Sequence, residues 1–370
     1  MARIALSIQV CCQPQRKVTY MKAMVYHGPN KKSWDAVPDP SIIDPTDVII
    51  QIDTTTICGS DLHILKGDTP EVAEGNIIGH EGVGTIVAVG SGVKKLKAGD
   101  RRVISCMTTC GVCEYCRKGL TSKCQNVSFG DSWQLGHRIN GTQAEFVRVP
   151  LAETSTFDIP EGVSDAEAVL TSDIFSTGYE IGVLNGNVRP GKTVICIGSG
   201  PVGLAAMKTA GLFSPTAVVA VDMDDNRLEM ATRLFGATHA VNNSKDGWQD
   251  DILRIVGKDG ADVVMEAVGV PASLEACFAL VKPGGNVANI GVHGHPVSLP
   301  MELLWTRNVT ITTGLVNMTT GPMMLDLIAA GKLDVLPMGT HQFKLDHLMD
   351  AYDVFTNAAK NNALKMIISR

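Results

Sequence analysis

Residues 193–197 form a short apolar, β-branched run that leads directly into Gly198-Ser199-Gly200-Pro201-Val202-Gly203, after which an apolar stretch of helical character begins. No other feature of the chain restricts its fold so strongly. The glycines permit a tight turn, close approach of backbone to a pyrophosphate and close packing of helix on strand, while the free N–H groups at the helix start favour phosphate. A Gly-rich turn alone is a weak signal, but the next expected strand, residues 217–222, ends in Asp222, nineteen residues beyond Gly203. A carboxylate there accepts hydrogen bonds from ribose hydroxyls and repels a 2′-phosphate, so the pattern predicts NAD rather than NADP. Gly198, Gly200, Pro201, Val202, Gly203 and Asp222 are the expected cofactor contacts, and Arg227, five residues beyond Asp222, softens the preference. The alternative is a Gly-rich turn followed by a helix-capping aspartate.

From about residue 191 the chain alternates between the two periodicities. Strands are expected at 193–197, 217–222, 261–268, 286–290 and 310–313, with helices at 201–212, 227–235 and 274–281. That alternation argues for an α/β fold with a doubly wound parallel sheet. Residues 21–150 read differently, being rich in Gly and Pro with short strands at 47–52, 84–89 and 144–149, the pattern of a β-rich domain with long loops. Helices at 322–331 and 345–358 and a strand at 363–368 follow, and this tail either extends the sheet domain or returns to the first. At 370 residues two domains are expected, since single cores rarely grow beyond ~250–300 residues.

A net charge of −6 gives no electrostatic reason for a nucleic-acid partner. No apolar run approaches the ~18–20 residues of a membrane span; residues 201–213 come nearest and are interrupted by Lys208. A soluble, cytoplasmic protein is therefore expected. No acidic residue precedes Asp35, so residues 1–20 fit a disordered or alternatively initiated extension, or a mitochondrial presequence.

Four of the ten cysteines crowd into fifteen residues as Cys110, Cys113, Cys116 and Cys124. In a chain of this size that spacing points to metal in a reducing compartment rather than to a disulfide scaffold. Four thiolates on a loop close a tetrahedron around a structural zinc with no position left open; disulfides or an iron–sulfur cluster are the alternatives. A second, scattered set comprises Cys58 in Cys58-Gly59-Ser60-Asp61, the pair His80-Glu81 in Gly79-His80-Glu81-Gly82, and Asp173. Taken singly these are weak evidence of a ligand set.

In order and approximate spacing, Cys58-Gly-Ser-Asp, Gly79-His-Glu-Gly-Val-Gly, the four-cysteine loop, Gly198-Ser-Gly-Pro-Val-Gly and Asp222 resemble the zinc-dependent medium-chain alcohol dehydrogenases across residues 21–370. The resemblance implies a GroES-like β-rich catalytic domain at 21–173 and 317–370, a Rossmann NAD-binding domain at 174–316, and an N-terminal extension at 1–20. It implies Cys58, His80 and Asp173 as ligands of a catalytic zinc, leaving a fourth position open, with Glu81 as an occasional fourth ligand or field-tuning group. Asp173, where many relatives have cysteine, resembles the secondary-alcohol and formaldehyde branches. Ser60 is placed to take a proton from substrate and His63 to pass it on. Trp133, Ile174 and Leu315 match pocket positions; Thr177-Gly178 and Val292-His293 match the nicotinamide end. The expected activity is reversible hydride transfer between NAD and a small, secondary alcohol in a homodimer or homotetramer. Polyol, threonine or formaldehyde oxidation is the nearest rival, and a non-catalytic NAD-binding member of the superfamily the rival from another class.

Overall fold

A computed structural model describes residues 18–370. The expectations for residues 1–17 lie outside the described residues. Two β-sheets organise the rest. One has six strands, all parallel, in the order His239–Asn242, Ala217–Asp222, Thr193–Ile197, Ala261–Glu266, Val281–Asn289, Thr310–Thr313. Its three central strands, Ala217–Asp222, Thr193–Ile197 and Ala261–Glu266, are buried along nearly their whole length, the last at every residue, as a sheet covered on both faces requires. Helices fill the crossovers. Pro201–Ala210 begins with Pro at its first turn, where the missing N–H costs nothing. Asp225–Leu234 is capped by Asp224, whose carboxylate accepts from the Asn226 and Arg227 amides.

The other sheet has seven strands. Val48–Thr55 is its hub, pairing antiparallel with Gly82–Val89, Phe146–Val149 and Lys365–Ser369. The last of these pairs parallel with Gly339–Lys344, so two strands from the C-terminal stretch complete the sheet begun by the N-terminal one. Tyr20–Tyr26 and Lys32–Pro38 form a separate hairpin.

Element ends differ from the expectations mainly where a break interrupts the pattern. The helix expected at 345–358 is a 3₁₀ turn, Leu345–His347, then the helix Leu348–Thr356, then a short turn of helix Ala358–Asn361. The helix expected at 274–281 begins earlier, at Pro271, and Val281 already belongs to the next strand. Among the described residues, no helix is long and apolar enough to cross a membrane.

The largest core cluster runs without interruption from Val83 and Val103 of the seven-stranded sheet, through Leu170 and Phe175, to Val194 of the parallel sheet and Leu204 of the helix Pro201–Ala210 that covers it. A polar clasp reinforces it where the chain crosses back. Buried Glu180 accepts from the Asn317 amide at 2.7 Å, the Thr320 amide at 3.0 Å and the Thr320 hydroxyl at 2.8 Å. The Asn317 side chain in turn accepts from the Ser122 amide and hydroxyl at 3.1 and 2.9 Å. Met318, between these anchors, has a φ of 60°.

Candidate metal and nucleotide sites

Two strands of the seven-stranded sheet, the helix that follows one of them and one connecting helix deliver the scattered set to a single point. Cys58 is the N-cap of the helix Gly59–Lys66, which follows the hub strand. His80 and Glu81 immediately precede the strand Gly82–Val89. Asp173 caps the short helix Ile174–Thr177 between the two sheets. One ligand atom from each of Cys58, His80, Glu81 and Asp173 lies within 4.8 Å of the others. Asp173 Oδ2 stands 3.3 Å from His80 Nε2 and 3.7 Å from Cys58 Sγ. His80 and Glu81 are buried, while Cys58 and Asp173 are partly open. Burial alone would raise the Asp173 pKa, but hydrogen bonds from His80 and Thr177 hold it down to about 2.

The charges surrounding this group were not legible in the spacing. Glu81 forms a fully buried ion pair with Lys365, whose ammonium also donates to the Ile57 carbonyl at 3.0 Å. Burial pushes the Glu81 carboxyl up, and Lys365 opposes it. A lone lysine running into the apolar stretch Met366, Ile367 and Ile368 was the available signal, because a lysine is almost never fully buried unless paired. Asp61 accepts from the Cys58 amide at 2.9 Å. Asp61 Oδ1, His80 Nδ1 and Glu81 Oε1 are buried with no hydrogen-bond partner.

The other expected residues fall into two groups. Ser60 is half-buried on the first turn of the helix capped by Cys58. Trp133 packs edge-on against His80, ring centroids 5.6 Å apart, and stacks on buried His137 at 4.3 Å. Ile174 is buried beside Asp173. Thr177 donates its hydroxyl to Asp173 Oδ1 at 2.5 Å, so its side chain is engaged with the candidate metal group. His63, by contrast, is exposed and bonded to Asp68 at 2.9 Å. Val292 and Leu315 are exposed.

Cys110, Cys113, Cys116 and Cys124 also bring their sulfurs within 4.8 Å of one another. Cys110 Sγ and Cys116 Sγ are 3.9 Å apart, and all eight described cysteines are free, which speaks against the disulfide alternative. Backbone amides converge on the sulfurs, as they do on thiolates: Cys113 and Val112 donate to Cys110, and Gln125 and Cys116 donate to Cys113. The last pair lowers the Cys113 thiol to about 6.

At the glycine turn, Gly198 has a φ of +102°, and a Cβ on Gly203 would stand 1.9 Å from the Gly198 carbonyl oxygen. Helix and strand therefore meet at backbone distance. Asp222 accepts from the Ser199 amide at 2.7 Å and the Asp224 amide at 3.0 Å, fixing its carboxylate against the turn. The Arg227 guanidinium reaches to within 3.9 Å of a Cβ built on Gly200.

Residues 44–161 match the alcohol dehydrogenase GroES-like domain, and residues 201–330 match the zinc-binding dehydrogenase family. An alcohol dehydrogenase of Cupriavidus necator is 34% identical over 364 residues, spanning 94% of this chain and 98% of that one. Among solved structures, zinc dependent alcohol dehydrogenase 2 from Streptococcus pneumonia is 45% identical, with a TM-score of 0.89 over 95% of this chain and 98% of that one. A short chain alcohol dehydrogenase from E. coli CFT073, complexed with NADH, superposes with a TM-score of 0.85 at 26% identity, covering 95% and 99% of the two chains.

Proposed function

The chain belongs to the zinc-dependent medium-chain alcohol dehydrogenases, and on that premise we propose that it moves a hydride reversibly between NAD and a small, secondary alcohol, with Cys58, His80 and Asp173 as ligands of a catalytic zinc. The observation that carries this reading is the convergence of sulfur, imidazole nitrogen and carboxylate oxygen within 4.8 Å at a half-open point next to the connecting helix. The donor set fits zinc, which takes S, N and O ligands, and the unpartnered His80 Nδ1 is the nitrogen left free when Nε2 ligates. When bound, zinc supplies Lewis acidity to a substrate oxygen, and NAD supplies the hydride acceptor.

The remaining work belongs to the chain's own side chains. Thr177 ties Asp173 Oδ1, leaving Oδ2 to face the sulfur and the imidazole. The Ser60 hydroxyl, two residues beyond Cys58, takes the substrate proton, and His63, exposed and paired with Asp68, passes it to solvent. Trp133 packs edge-on against the His80 ring and is the candidate apolar wall for the substrate. Asp222, pinned by two amides, is oriented for the ribose hydroxyls and against a 2′-phosphate. Cys110, Cys113, Cys116 and Cys124 hold a structural zinc.

Exposed Leu299, Met301, Leu303 and Trp305 support a homodimer or homotetramer joined through the parallel-sheet domain, and eight free cysteines support a reducing, cytoplasmic compartment. NAD reduction by matched primary and secondary short-chain alcohols, before and after a zinc chelator, tests the whole reading. Chelator-sensitive reduction that favours the secondary alcohol is expected. NAD binding with no reduction by any alcohol would overturn it in favour of a non-catalytic role.

A further inference from the structure

We propose that Gln143 and Tyr352 are positioning residues for the metal centre: Tyr352 fixes the Gln143 amide, and the amide holds Asp61 so that its free oxygen faces His80. The proposal rests on the metal-centre reading above. Gln143, Tyr352 and Asp61 are each at most 1% exposed. The Gln143 amide nitrogen donates to Asp61 Oδ2 at 2.9 Å and to the Thr56 carbonyl at 3.2 Å. Two acceptors around one atom identify it as nitrogen, so the amide oxygen is left to accept, and it takes the Tyr352 hydroxyl at 2.8 Å.

Asp61 Oδ2 therefore receives both the Gln143 amide and the Cys58 backbone N–H. Oδ1 receives nothing and stands 3.7 Å from His80 Nδ1, which also lacks a partner. An imidazole that ligates through Nε2 carries its proton on Nδ1, the nitrogen that meets this oxygen. Gln143 is also locked from the other side. A Cβ on Gly79, whose φ is +95°, would lie 2.5 Å from Gln143 Cγ, so the amide cannot shift without displacing the peptide that leads into His80.

Tyr352 comes from the helix Leu348–Thr356, and the Lys32 ammonium lies 5.4 Å from its ring centroid. Burial, reinforced by Asp61, keeps its hydroxyl well above the usual phenol range, so it is a constant donor. Neither Gln143 nor Tyr352 touches the ligand atoms; both act through Asp61.

The test is zinc release from the zinc-loaded, full-length protein, without cofactor, into a chromogenic chelator. Wild type is compared with Gln143→Met, close in shape but without hydrogen bonds, and with Tyr352→Phe, which loses one oxygen. One of two zinc equivalents should leave about 10-fold faster in Gln143→Met, within the range typical for lost outer partners of a ligating histidine. Tyr352→Phe should move the same equivalent by a smaller factor. The second equivalent, in the four-cysteine loop, should leave at the wild-type rate in both, and cobalt-substituted Gln143→Met should show shifted d–d bands. If Gln143→Met does not fold, Tyr352→Phe carries the test. Unchanged release and unchanged cobalt spectra, with only a lowered melting temperature, would reduce both residues to packing and overturn the proposal. A wild type whose zinc is all lost when Cys110 and Cys113 are replaced by serine, leaving none at Cys58, His80 and Asp173, would instead overturn the metal-centre reading.

Discussion

Around the candidate metal centre, side chains are divided atom by atom into a tied half and a free half. Thr177 ties one oxygen of Asp173, and Lys365 ties one oxygen of Glu81 while the other has no partner. A carboxylate held by one oxygen presents the other without paying rotamer entropy again at each turnover. If Ser60 carries the substrate proton as proposed, Ser60→Ala should cut turnover about 10²-fold or more, the usual scale of general acid–base help, with zinc content unchanged. Metal analysis beside steady-state kinetics checks it, and unchanged turnover would remove Ser60 from the reaction. At the other site, Asp222→Ser should raise the KM for NAD about 10-fold and admit NADP, because it removes a carboxylate worth ~1–3 kcal/mol while Arg227 stays beside Gly200. Titration with NADH and NADPH distinguishes that from a general loss of binding.

Secondary-structure elements are held in register by similar ties at their ends. Asp262, at the start of the strand Ala261–Glu266, binds Lys192 at 2.8 Å, Lys282 at 2.6 Å, and the Thr193 amide and hydroxyl at 3.0 Å each. Burial would raise its pKa, but these four partners hold it well below the usual 3.8. Because the folded-state value is the lower one, the stabilisation is present above 3.8 and fades as pH falls through the folded value. Asp262→Asn should therefore cost ~2 kcal/mol at neutral pH and progressively less in acid, read from urea unfolding at both. Five of the six parallel strands were legible because their residues are largely apolar or β-branched and the glycine turn fixes one of them, whereas His239–Asn242, an edge strand with His239 and Ala240 exposed, was missed. The strand Gly339–Lys344 was missed as well, since as an edge strand it keeps Thr340 and His341 only half-buried, leaves Gln342 exposed and shows no apolar alternation. Val281–Asn289 was read short because Pro283, Gly284 and Gly285 interrupt it where the pairing register shifts.

For the molecule as a whole, the four-cysteine loop is joined to the crossover between the two sheets. Thr121 and Ser122, next to Cys124, bond to Asn317, and Asn317 bonds to Glu180. The left-handed backbone at Met318 costs about 1–3 kcal/mol and persists only while such neighbours over-determine it. Stripping metal from this loop should speed hydrogen exchange at residues 316–320, measured by mass spectrometry on protein whose other metal is retained. Exchange confined to the loop itself would show that the link carries nothing. Spacing alone revealed the loop, whose four residues are local. Cys58, His80 and Asp173 share no sequence period, so only resemblance grouped them, and the Lys365 partner of Glu81 lay beyond both kinds of signal.

That partner has a consequence in time. Glu81 and Lys365 are 284 residues apart in the chain. On the ribosome, Cys58, His80 and Glu81 emerge long before the lysine that neutralises Glu81, and the entire parallel sheet is made in between. The hub strand Val48–Thr55 waits as long for its partner Lys365–Ser369. Until that strand is made, the hub lacks one partner and the Glu81 carboxylate lacks the cation without which its burial would be costly.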